Sequence, residues 1–307
     1  MSKLIGFICS FIFIGIYSLN AQIIPLLYDM VPNNPRDKMS EIILDSSLYS
    51  DAYLNTSYPS LQIFSPSKNN NLGIGILVIP GGAYQFLAYN EEGTNIAAWF
   101  ANHGITAFVL KYRLPSNASS NNISIESLQD AQTAIKVIRS QCLRWGIKSN
   151  AIGVIGFSAG GHLAAGISTK FNISYITNPK NVSLKPNFQI LVYPVISMKD
   201  SLTHFGSRNN LLGRNPSQLV IDSFSNENYV DINTPPAYII HAEDDSLVTV
   251  NNSLVFYQAL LKNKVSAEIH LYSKGDHGFV LRMKQDDWLL PIQNWIVQLL
   301  SQVKCNQ

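Results

Sequence analysis

The chain has 307 residues, of which 46% are hydrophobic and 14% charged. That balance suits one large domain with a sizeable core and excludes a disordered chain. A formal net charge of +2, with no basic cluster, argues against nucleic acid as a partner.

Met1-Ser2-Lys3 precedes an apolar run over residues 4–17, followed by Ser18-Leu19-Asn20-Ala21-Gln22. A charged start, an apolar stretch short for a bilayer span and a small residue at the break predict a secretory signal peptide over residues 1–21, cleaved after Ala21. The expectation is an exported protein, periplasmic or extracellular, with no membrane attachment after cleavage. Cys9 would leave with the signal. Cys142 and Cys305 remain, and an exported protein can pair them, although spacing alone does not decide it. Neither cysteine has a metal-ligand or nucleophile context.

Residues 22–58 are polar and punctuated by proline, and read as a lead-in segment. The catalytic domain is expected over residues 59–307. Residues 65–71, Ser-Pro-Ser-Lys-Asn-Asn-Asn, read as a turn. From there strand-like and helix-like runs alternate. Continuous apolar runs at 74–79, 105–112, 151–155, 188–193, 237–241 and 267–272 predict buried parallel strands. Helical periodicity appears over 95–102, 127–145, 158–168, 251–262 and 287–303. This alternation predicts an α/β fold with a mostly parallel central sheet and helices on both faces. Between 196 and 234 it lapses, and a small lid-like excursion is expected there.

The third strand runs into Gly156-Phe157-Ser158-Ala159-Gly160-Gly161 and then His162-Leu163-Ala164-Ala165. Strand, tight turn and helix around G-x-S-x-G form a nucleophile elbow, with glycines leaving room for the strained turn that presents a serine hydroxyl. A phosphate loop would end in Gly-Lys-Ser/Thr, which is absent. Ser158 is therefore the candidate nucleophile. A serine needs a base, an acid to orient that base, and donors aimed at the developing oxyanion. In this architecture the order is serine, acid, histidine. His270 lies within a strand-like run, whereas His277 lies in the loop Gly275-Asp276-His277-Gly278-Phe279 beyond it, where catalytic groups are usually carried. His277 is the candidate base. The turn after the strand at 237–241 offers Glu243, Asp244 and Asp245, and local reasoning does not separate Asp244 from Asp245. Pro80-Gly81-Gly82-Ala83-Tyr84 ends the first long strand and suits an oxyanion loop, with the N–H of Ala159 as its partner.

Several runs together extend this picture. They are Pro80 to Tyr84, Asn90-Glu91-Glu92-Gly93, Trp99-Phe100, residues 104–115, Asp130-Ala131-Gln132, Arg144-Trp145-Gly146-Ile147, residues 156–164, residues 193–198, residues 211–216 and Gly278-Phe279. From about residue 58 to 295 the chain resembles the acetyl-xylan-esterase-like branch of the α/β-hydrolases, which includes carbohydrate and feruloyl esterases. The acid pattern of that branch, His-Gly-x-x-Asp-x-x-Val, falls on His241 to Val248 and places the acid on Asp245, with Ala242 where the family has glycine. By position, the oxyanion donors implied are the N–H groups of Gly82, Ala83 and Ala159. The resemblance implies removal of acetyl or similar small acyl groups from plant or algal oligo- or polysaccharides, with no metal or organic cofactor. Tyr84, Phe86 and His204 are candidates to line the acyl or sugar site. Other readings share parts of the signal. They are a serine peptidase of the prolyl-oligopeptidase type, a feruloyl or general carboxylesterase, and a non-catalytic hydrolase-like binding protein.

Overall fold

The computed structural model describes residues 22–26, 42–44, 50–54, 56, 58–115 and 123–305. The expected signal peptide and its cleavage site lie outside them.

The strands are β1 (Gln22–Pro25), β2 (Ile43–Leu44), β3 (Ala52–Tyr53), β4 (Ser60–Phe64), β5 (Ile74–Ile79), β6 (Ile105–Lys111), β7 (Ile152–Phe157), β8 (Gln189–Val192), β9 (Ala237–Ala242) and β10 (Ala267–Tyr272). The helices are α1 (Asn95–Asn102), α2 (Ile123–Ser140), α3 (Ser158–Thr169), α4 (Phe205–Leu212), α5 (Gln218–Phe224), α6 (Asn251–Lys262) and α7 (Gln285–Cys305). Eight strands form one sheet in the order β1-β4-β6-β5-β7-β8-β9-β10, and β2 and β3 pair separately. The pairs from β6 through β10 are parallel, and β1 and β4 run antiparallel at one edge.

The apolar runs are central strands because both of their faces are covered. Every residue of β5, β7, β8 and β9 is buried. Burying so many aliphatic side chains, at roughly 1.5–3 kcal/mol each, is the main drive holding the layers together. β10 closes the other edge with an alternation of half-buried and exposed positions, and its exposed Glu268 and His270 discourage further strand pairing. His270 bonds Glu268 at 3.2 Å and stacks on Tyr238.

One part of the chain departs from the sequence expectation, and a second gains detail. The segment read as a lead-in supplies β1, which pairs with β4. This strand is short, mostly exposed and ends at Pro25, so no hydrophobic alternation marks it. The excursion over 196–234 folds into α4, α5 and a 3₁₀ turn, Asn226–Tyr229. It is stitched to the body by the buried Asn252 side chain, which accepts from Ile196 N at 2.9 Å and Ser197 N at 3.1 Å and donates to Leu202 O at 2.8 Å.

Two of the quoted motifs meet in a buried cluster. Arg113 donates through Nη2 to Asp130 Oδ1 at 2.8 Å and through its backbone N–H to Asp130 Oδ2 at 2.8 Å, tying the exit of β6 to α2. Cys142 is a free, half-buried thiol, and the side chain of Cys305, its candidate partner, lies outside the described residues. Among the described residues no helix is long and apolar enough to cross a membrane.

Candidate active site

β7 ends at Phe157 in extended conformation and α3 begins at Ser158, whose φ of 51° lies in the left-handed region. Such a conformation costs a non-glycine residue about 1–3 kcal/mol and persists only where neighbours enforce it. The enforcement is close packing. A Cβ on Gly160 would lie 2.3 Å from Ile79 O and 2.4 Å from Pro80 O, and one on Gly156 would lie 2.3 Å from Gly160 O. The absence of these side chains lets the turn press against the end of β5.

Ser158 is 7% exposed. Its Oγ lies 3.0 Å from His277 Nε2, and His277 Nδ1 lies 2.7 Å from Asp245 Oδ2. The sequence-predicted serine, histidine and aspartate thus form one continuous hydrogen-bonded relay, contributed by the ends of β7, β9 and β10. The His277 side chain is 15% exposed, so a solute can reach the relay.

Asp245 is tightly held. Its Oδ1 accepts from Leu247 N at 3.0 Å and Val248 N at 2.8 Å, and its Oδ2 also accepts from His241 Nε2 at 3.1 Å. Burial pushes this carboxyl up, but the bonds from His241, His277 and Val248 and the nearby His277 ring outweigh burial and hold it well below the usual carboxylate range. Asp244 serves differently. Its Oδ1 accepts from Asp276 N at 2.8 Å, while Asp276 Oδ1 accepts from Ser246 N and Ser246 Oγ, both at 2.9 Å. The two aspartates cross-clasp the loops that carry Asp245 and His277. The structure therefore separates Asp244 from Asp245, which local sequence did not.

The loop after β5 has positive φ at three consecutive residues, 122° at Gly82, 56° at Ala83 and 57° at Tyr84, and is strained at the two that are not glycine. Gln85 N and Phe86 N both donate to Gly82 O, at 2.9 and 3.0 Å. Asn210 of α4 donates from Nδ2 to Ala83 O at 2.9 Å, and Tyr112 OH donates to Pro80 O at 2.9 Å. Among the described residues the N–H groups of Gly82 and Ala83 meet no acceptor. The N–H of Ala159, in the first turn of α3, has no intrahelical acceptor.

Tyr84, expected among the residues lining the acyl or sugar site, is a buried core residue. It is 2% exposed, and its hydroxyl lies 2.8 Å from His162 Nδ1. With His162 and Lys170 it lines a small pocket of about 20 Å³, room for one water. Its ring belongs to the core, edge-on to Tyr112 and His162. Phe86 is half-buried beside Gly82. His204 is half-buried and caps α4, with Nδ1 2.9 Å from Ser207 Oγ and 3.3 Å from Ser207 N. Its pKa is lowered by burial and by His277, with Asp245 opposing, so it lies within electrostatic reach of the relay.

Two buried groups were not singled out by sequence. His241 bonds Ser253 Oγ through Nδ1 at 2.7 Å and approaches Asp245 and Val248 O through Nε2. Its position four residues before the acid was the available signal. Glu92 bonds Gly81 and Tyr193. Among the described residues no group of three or more His, Cys, Asp or Glu is placed to hold a metal ion.

A largely parallel sheet, a strained serine at a strand-to-helix turn and a Ser-His-Asp relay at the strand ends define an α/β-hydrolase. The family model described as BD-FAE matches residues 61–260, and the chain belongs to that family, within the esterase branch of the α/β-hydrolases. It is 36% identical over 234 residues to an acetylxylan esterase of Xylanibacter ruminicola, covering 74% of this chain and 46% of that protein. It is 35% identical over 208 residues to endo-1,4-beta-xylanase B of Butyrivibrio fibrisolvens, covering 67% of this chain and 32% of that one. The chain thus spans less than half the length of these curated relatives. Among solved structures it is similar to an acetyl ester-xyloside bifunctional hydrolase from Caldicellulosiruptor lactoaceticus. That match has 33% identity and a TM-score of 0.74, and covers 91% of this chain and 96% of that one.

Proposed function

We propose that this protein is an exported serine esterase that removes acetyl or similar small acyl groups from acylated oligo- or polysaccharides such as acetylated xylan. The observation that carries the reading is the relay from Ser158 through His277 to Asp245, beside a loop whose Gly82 and Ala83 N–H groups meet no acceptor among the described residues. The resemblance to proteins named for acetyl ester and xylan hydrolysis supports the substrate class. The expected signal peptide over residues 1–21 supports export, and residues 59–307 form the catalytic domain in this reading.

His277 takes the Ser158 proton as Oγ attacks the acyl carbonyl. The N–H groups of Gly82, Ala83 and Ala159 donate to the oxyanion, a contribution worth about 10²–10³ in rate per donor. The C–O bond to the sugar breaks, and His277 returns the proton to the departing hydroxyl. Water, deprotonated by the same histidine, then releases the acid from Ser158. Asp245 holds the tautomer in which Nδ1 carries hydrogen and stabilises the imidazolium. His204, within electrostatic reach of the relay, contacts the sugar in this reading.

The test is acetate release from acetylated xylo-oligosaccharides, compared with feruloylated saccharides, nitrophenyl esters and peptides. Ser158→Ala should lower the preferred rate by about 10⁴-fold or more. An unchanged rate in that variant would sink the proposal. Faster peptide cleavage would favour a peptidase of the prolyl-oligopeptidase type, and no turnover with any substrate would favour a binding protein.

A further inference from the structure

Glu92 is a buried carboxyl that the relay does not use. It lies on a single π-helical turn, Asn90–Thr94, that leads into α1. Such turns are local insertions that re-aim side chains, often at functional sites. Its two oxygens have separate partners. Oε2 accepts from Gly81 N at 2.7 Å, and Oε1 accepts from Tyr193 OH at 2.9 Å.

Each partner touches a different half of the site. Gly81 immediately precedes Gly82, and a Cβ there would lie 2.8 Å from Glu92 Oε2 and 3.0 Å from Ser158 Cβ. The first residue of the loop is thus wedged between the carboxyl and the nucleophile. Tyr193, fully buried with φ of 36°, packs its ring 4.7 Å from the His277 ring. A buried carboxyl is costly unless its lone pairs are satisfied, and here the groups that satisfy it are the supports of the oxyanion loop and of the base. Burial pushes Glu92 up, and the bonds from Gly81 and Tyr193 and the nearby His277 pull it back.

We propose that Glu92 is a positioning residue whose carboxyl registers the oxyanion loop against His277 by holding Gly81 with one oxygen and Tyr193 with the other. The inference rests on the catalytic reading of Ser158, His277 and the Gly82–Ala83 loop. The donors and the base act as charge develops in the transition state, so loosening them lowers kcat and leaves KM nearly unchanged. A misplacement of about 1 Å costs about 10²-fold.

The test uses the full chain and acetate release from acetylated xylo-oligosaccharides, with each preparation normalised by covalent titration with a fluorophosphonate. Glu92→Leu should lower kcat per titrated site by about 10²-fold with KM within about threefold. Glu92→Gln, whose amide oxygen still accepts from Gly81 and whose NH₂ donates to the Tyr193 oxygen, should restore kcat to within about threefold of wild type. Wild-type kcat per site in Glu92→Leu, with a lowered Tm alone, would show a structural role and overturn the proposal. Glu92→Gln as impaired as Glu92→Leu would overturn it too. Should Glu92→Leu not fold, Tyr193→Phe decides, since it removes one of the two bonds. About a tenfold fall in kcat at constant KM supports the proposal, and wild-type kcat overturns it. If Ser158→Ala retains the rate, the proposed function and this inference fall together. If Ser158→Ala is inactive and Glu92→Leu is not impaired, the inference falls alone.

Discussion

After β7 the chain turns at Ser158 with φ of 51°, and after β5 it turns through Gly82, Ala83 and Tyr84 with φ of 122°, 56° and 57°. The two turns lie side by side and both carry left-handed backbone, yet they are held by different means. The serine turn is held mainly by clearance, with one distant bond from Val195 N to Ser158 O at 3.0 Å. Gly156 and Gly160, two residues to either side, allow the close approach to Ile79 O and Pro80 O. The loop after β5 is held by bonds from far along the chain, from Tyr112, His162, Asn210 and, on the preceding residue, Glu92. Glycine clearance with one distant bond holds a single strained residue, whereas two adjacent strained non-glycine residues, Ala83 and Tyr84, take bonds from several elements.

The sharpest way to break this comparison is at Gly160. Gly160→Ala places a methyl within 2.4 Å of two backbone oxygens, which no side-chain movement relieves. The expected loss, read by urea unfolding, is about 4 kcal/mol or more. A loss below about 1 kcal/mol would mean that the turn is not held by clearance.

His162 links the two turns, since it lies on α3 and meets the Tyr84 hydroxyl. Burial lowers its pKa to about 3, opposed by its bond to Phe224 O. The unfolded chain protonates this histidine near its ordinary value of about 6.5, while the folded chain resists protonation until about pH 3. Its contribution to stability is therefore complete above about pH 6.5 and is lost progressively as the pH falls toward 3, at up to about 1.4 kcal/mol per pH unit. Urea midpoints measured from pH 7 to 4.5 should fall in the wild type and fall less in His162→Gln. Asp245, with its lowered pKa, contributes in the opposite sense of charge. Its stabilisation is full above about pH 4 and is lost only below that, outside the window of this experiment. Parallel slopes for wild type and His162→Gln would remove His162 as the acid-sensitive link.

The smallest expected effect is at Asn210, whose bond to Ala83 O is on the surface. Asn210→Ala should cost about 0.5 kcal/mol or less in stability and lower kcat more than it changes KM. An unaltered kcat would show that the loop keeps its shape without α4.

Much of the site was legible because the chemistry is carried at the ends of apolar runs. Ser158 stands where an apolar strand meets a glycine-flanked helix start, and His277 stands in a loop beyond the last strand. The expected α/β sheet followed from runs buried on both faces, and most predicted strands match β5 to β10 to within one or two residues. β1 and β4 were not legible, since four and five residues at an antiparallel edge carry little periodicity. That Tyr84 is buried and bonded to His162 was not legible, because position in sequence does not report what a side chain packs against. Glu92 and His241 were passed over because a buried polar residue is recognised by its partners, and those partners lie elsewhere in the chain.

The sequence by itself determined the class of fold, the order of the candidate serine, acid and histidine and the place of the strained serine, because each depends on short-range pattern and turn chemistry. The tertiary structure decided which aspartate meets His277, how the loop after β5 is held in three left-handed residues, and which carboxyl supports it. Those outcomes depend on distances between residues tens of positions apart, and they exist only once the strands are brought side by side.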